Sequence, residues 1–80
     1  MNINFTPHAE RKLSRLTAVG ITKSLVIAAI QNPTKVVLGY WGRKIAQGPL
    51  SRDLVLRVVY EESGRDIWVI TFYRRGRYDP

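Results

Sequence analysis

The chain has 80 residues, enough for a single domain (1–80) near the lower end of what folds alone without a metal or disulfide. It has no cysteine and one histidine, which excludes disulfides, thiolate chemistry and metal sites rich in cysteine or histidine, so neither metal nor cofactor is expected. Thirteen basic residues against six acidic leave a net charge of +7, a balance that selects a polyanionic partner, nucleic acid or an acidic protein segment, and no particular chemistry.

Met1-Asn2-Ile3-Asn4 lacks the charged and apolar regions of a secretory signal, and no apolar run approaches a membrane span. The expectation is a cytoplasmic protein with no membrane partner. Ile3 and Phe5 alternate with polar neighbours, enough for a short strand or an ordered lead-in. A helix follows from about Pro7 to Thr17, with Thr6 as N-cap and Pro7 at the first helical position. His8 falls in its first turn, near the positive end of the helix dipole, which favours the neutral, proton-accepting imidazole.

At about 100° per residue, Ala9, Leu13 and Leu16 form the core stripe of this helix. His8, Lys12 and Arg15 share an adjacent stripe, with Arg11 at its edge. One imidazole beside several cations suits a phosphate. The same pattern also fits a half-buried boundary histidine on an ordinary solvated face. Gly20 can close the helix, Thr22 can cap a second one carrying Leu25, Val26, Ala29 and Ile30, and Asn32-Pro33 stops it.

Beyond Pro33 the period changes to that of strands. Residues 35–40 read as one, residues 43–47 as a weaker edge strand, and residues 54–60 and 67–73 as the two strongest, joined by a turn at 61–64. Short connections imply an antiparallel meander of about four strands with a helical hairpin on one face, an α+β fold. Alternation assigns Leu54, Leu56, Val58 and Tyr60 to the helix-covered face, with Trp68, Ile70 and Phe72. Leu13 and Leu25 should be buried against them. Val55, Arg57, Val59, Ile67, Val69, Thr71 and Tyr73 then lie on the other face. A lone arginine among valines there is either a ligand for an anion or a side chain whose stem covers apolar surface. Arg74, Arg75, Arg77 and Tyr78 form a basic tail that can grip phosphates and stack on a base, or merely solubilise a loose end.

Phe5-Thr6-Pro7-His8-Ala9-Glu10-Arg11, then Gly20-Ile21-Thr22, Asn32-Pro33, Leu56-Arg57-Val58-Val59-Tyr60 and Ile70-Thr71-Phe72-Tyr73, together resemble a bacterial and archaeal family of small domains of unknown function. That family is similar to RelE/ParE toxins and to the wider barnase–EndoU–colicin–RelE nuclease fold. The resemblance implies a RelE/ParE-like toxin domain, a metal-independent endoribonuclease of a toxin–antitoxin pair, with RNA (free or ribosome-associated) and an acidic antitoxin as partners. It carries the motif histidine onto His8, the helix arginine onto Arg11, the strand arginine onto Arg57 and the closing Thr-x-Tyr onto Thr71 and Tyr73. Catalysis would fall to His8 or Tyr73 for proton transfer and to Arg57 for charge, with RNA held by Arg11, Arg15, Lys44, Thr71, Arg74, Arg75 and Arg77. The alternative is a non-catalytic basic module, either a ParE-like inhibitor of a DNA enzyme or an RNA-binding protein.

Overall fold

The computed structural model describes residues 2–78, so Met1, Asp79 and Pro80 lie outside the described residues. Strand β1 (Asn2–Phe5) leads into helix α1 (Pro7–Leu16), a 3-10 turn (Thr17–Val19) and helix α2 (Lys23–Gln31). Four strands follow: β2 (Lys35–Leu38), β3 (Lys44–Pro49), β4 (Leu54–Ser63) and β5 (Asp66–Gly76). No single helix among the described residues is long and apolar enough to cross a membrane.

The helix boundaries follow the capping chemistry. Thr6 Oγ1 accepts from the Ala9 amide at 3.2 Å, Thr22 caps α2 through the Leu25 amide at 3.3 Å, and Gly20 closes the 3-10 turn at φ 92°. Ala9 and Leu13 of α1, Val26 and Ala29 of α2, and Ile21 between them pack on Leu56, Val58, Val69 and Phe72. Gly48 of β3 allows the closest approach: a Cβ there would stand 3.0 Å from the Ala29 Cβ. The α+β class and the helices on one sheet face are as expected.

The sheet itself differs from expectation in three ways. It has five strands in the order β1-β5-β4-β3-β2 and is mixed, because β1 pairs parallel with β5, Asn2 opposite Asp66 through Phe5 opposite Val69. A strand of four residues shows its period but not its partner, so this pairing leaves no local signal. The second difference is that β3 is interior, between β4 and β2, and the edges are β1 and β2. The third is register. Val59 pairs with Thr71 but Tyr60 pairs with Val69, leaving Ile70 as the extra residue of a β-bulge. One extra residue reverses the alternation, so Ile67 and Val69 enter the core with Tyr60 while Trp68 is 40% exposed on the face of Arg57. Leu13, Leu56, Val58 and Phe72 are buried as expected, and Leu25 and Ile70 are half-buried.

The basic tail is largely structure. Arg74 and Arg75 belong to β5, and the Arg77 amide and guanidinium donate to the Asp53 and Ser51 carbonyls at 2.8 and 3.1 Å.

Candidate functional site

Alternation in β4 sends Leu56, Val58 and Tyr60 toward the helices, so Arg57 and Val59 must point to the uncovered face. Register then sets their neighbours: Gln47 and Tyr73 flank Arg57, and Ile45 and Thr71 flank Val59. The Arg57 guanidinium carbon lies 5.9 Å from the centre of the Tyr73 ring, a cation–π contact. Arg57 is only 8% exposed, and among the described residues no carboxylate pairs with it and its buried Nε has no hydrogen-bond partner. An unmatched donor on a buried permanent cation is an unfavourable arrangement, and an oxyanion in the groove would offset the charge of the guanidinium.

Arg57 forms part of the wall of a groove of about 490 Å³, bounded also by Val37, Tyr40, Trp41, Arg43, Ile45 and Val59. That size suits a small ligand or one unit of a polymer. The rim is the turn Tyr40–Gly42, held by the Gly39 amide on the Arg43 carbonyl at 2.7 Å and the Arg43 amide on the Tyr40 carbonyl at 3.2 Å. Trp41 adopts left-handed backbone angles, φ 57° and ψ 38°, at a cost of ~1–2 kcal/mol for a residue with a Cβ. Neither ring is buried in return: Tyr40 is 84% and Trp41 86% exposed. The Arg43 guanidinium sits 5.9 Å from the Trp41 ring, and its Nε donates to Glu61 at 2.8 Å.

A second approach to the same face comes from α1. Lys12 Nζ donates to Thr71 Oγ1 at 3.3 Å and lies 5.6 Å from the Phe72 ring centre. Burial, and secondarily the charge of Arg15, lower the Lys12 ammonium from its usual 10.5. Thr71 and Tyr73 share a face two residues apart, roughly 7 Å along the strand.

The sequence-predicted residues therefore divide. Arg57, Tyr73, Thr71 and the half-buried Arg75, which pairs with Val55, share the uncovered face. His8 stands exposed one helical turn before Lys12, without a hydrogen bond, ion pair or ring contact among the described residues. Arg11 and Arg15 are exposed on the same helix. Lys44 is elsewhere: it pairs with Tyr60 on the helix-covered face and binds Glu62, whose hydrogen bond and charge raise its pKa above 10.5. Arg74 pairs with Leu56 and so belongs to that face too. Arg77 edges a smaller cleft of about 250 Å³ beside Val55 and Gln47.

Four residues escaped the sequence reading: Lys12 as more than a stripe member, and Tyr40, Trp41 and Arg43. Two large aromatics between Gly39 and Gly42 were the available signal, since rings with no core to enter are unusual in a tight turn. The chain matches no protein-family model, and neither the curated proteins nor the solved structures contain one that matches it.

Proposed function

We propose that this is a RelE/ParE-like toxin domain acting as a metal-independent endoribonuclease, with RNA laid across the uncovered sheet face. The observation that supports it is Arg57, a buried cation with an unmatched donor lining an open groove, in cation–π contact with Tyr73. In such a reaction a base removes the ribose 2′-OH proton and the 2′ oxygen attacks phosphorus. The P–O5′ bond breaks, and an acid protonates the leaving 5′ oxygen. Arg57 is the group to stabilise charge on the phosphorane, with Tyr73 beside it for proton transfer. Lys12, drawn to Thr71, and His8 one turn earlier are the other proton-transfer candidates. An acidic antitoxin segment would neutralise the same basic surface, and both partners place its work in the cytoplasm.

The exposed, unpartnered His8 favours a second reading, a basic module that binds RNA or inhibits a DNA enzyme without cleaving anything. Incubation of the purified chain with single-stranded RNA separates the two. Cleavage with cyclic-phosphate ends, abolished by Arg57→Gln and reduced about 10²–10⁴-fold by Tyr73→Phe or His8→Ala, supports the enzyme and identifies its acid or base. Intact RNA under all conditions, with binding retained, leaves the binding module. Expression in bacteria adds a further arm, because DNA damage with intact transcripts would identify the inhibitor of a DNA enzyme.

A further inference from the structure

We propose that Tyr40 and Trp41 form a base-stacking platform that makes the groove selective for single-stranded RNA. This rests on the reading of the groove as an RNA site and names the form of RNA it takes. Three observations converge. The Tyr40 and Trp41 ring centres are 6.0 Å apart with planes inclined at 52°, so two ring faces are offered side by side at the rim, both almost fully exposed. Trp41 and Gly42 both lie at positive φ in the turn that joins β2 to β3, so the hairpin turn itself fixes Trp41 at the rim. The unmatched, nine-tenths buried Arg57 lines the same groove, whose lining includes no acidic residue.

A nucleotide matches that pairing of features, with its phosphate on the Arg57 guanidinium and its base on the rings. Arg43, against Trp41 and tied to Glu61, fixes the turn and adds a second guanidinium near the stacked base. A base inside a duplex is already stacked and paired, so its faces are closed to the platform.

The test uses the full chain with Trp68→Phe as background, which leaves Trp41 the sole tryptophan reporter. The probe is a 2′-O-methylated single strand of about ten nucleotides, which binds without being cleaved. Its addition should quench Trp41 fluorescence, and a duplex or an abasic strand of equal length should bind more weakly. Trp41→Asn, made without the background, keeps a residue tolerant of left-handed angles and should melt no lower than the parent. Its affinity for the strand should nevertheless fall about 5- to 150-fold, read by fluorescence anisotropy of labelled RNA. Unchanged affinity in Trp41→Asn, with loss in Arg57→Gln, overturns the platform and leaves the RNA site standing. No RNA binding by the parent overturns both. Self-association that Trp41→Asn abolishes, with RNA affinity unaltered, would assign the rings to a second copy of the chain and also overturn the platform.

Discussion

Arg57 sets stability against the proposed function in one side chain. Methionine there would keep much of the packed stem while removing the buried charge and the unmatched Nε donor. Arg57→Met should therefore raise the unfolding free energy by ~1–3 kcal/mol in urea titrations while RNA affinity falls; a less stable variant would show that Arg57 holds the sheet together. Lys12 gives a pH signature of known sign. Its folded-state pKa lies below the unfolded 10.5, so between those values the unfolded chain carries more protons and stability rises with pH. The penalty is in full force below the folded pKa and is relieved as pH climbs toward 10.5. Lys12→Met should remove that upward component from stability measured across the alkaline range, and an unchanged profile would contradict the assignment. Arg57 was placed on the correct face by the alternation of β4 alone. Trp68 was not, because the bulge at Ile70 carries no glycine or other local marker, and everything before it on β5 is displaced by one.

At the scale of elements, the caps and stops were the most legible features. Thr6, Pro7, Gly20 and Thr22 each act through backbone chemistry confined to a few residues, which is why they could be read without a partner in view. How α2 sits on β3 depends instead on a pairing of small residues far apart in sequence. Gly48 faces Ala29 so closely that an added methyl would meet its Cα at 3.1 Å and its Cβ at 3.0 Å. Gly48→Ala should cost ~1–3 kcal/mol through displacement of α2, measured as a lowered urea midpoint. Full stability in that variant would mean that helix and strand can part without loss. The turn Tyr40–Gly42 is the opposite case, an element that reverses the chain between β2 and β3 and buries neither of its rings. Its two glycine-bounded aromatics were visible in the sequence, but only the structure shows them exposed on the rim of the groove that Arg57 lines.

Across the whole molecule, charge and fold are distributed unequally. Among the described residues three ion pairs, Lys23–Glu10, Arg43–Glu61 and Lys44–Glu62, engage three acidic side chains, and Arg57 and Arg75 are without such partners on the uncovered face. Binding to single-stranded RNA should therefore weaken with salt, by about 0.7 in log–log slope per phosphate held. Arg57→Gln should flatten that slope by about one such step, whereas Lys44→Gln, on the helix-covered face and bound to Glu62, should leave it alone. Equal effects of the two would mean that the charge acts diffusely, with no site on the sheet. The net charge treats every cation alike, and only the strand order tells these two apart.

The parallel pairing of β1 with β5 also sets a timetable. The hydrogen bond from Thr6 to the Ile70 carbonyl joins residues 64 apart, and α1 packs on a strand made long after it. At translation rates of about 5–20 residues per second, that separation amounts to roughly 3–13 seconds of synthesis. Throughout it, the neighbouring hairpins can zip locally, while the first helix waits with Leu13 uncovered. Tyr73 comes with that same late strand, so a nascent chain holds Arg57 before it holds the ring beside it, and the proposed site is incomplete until β5 has paired with β4.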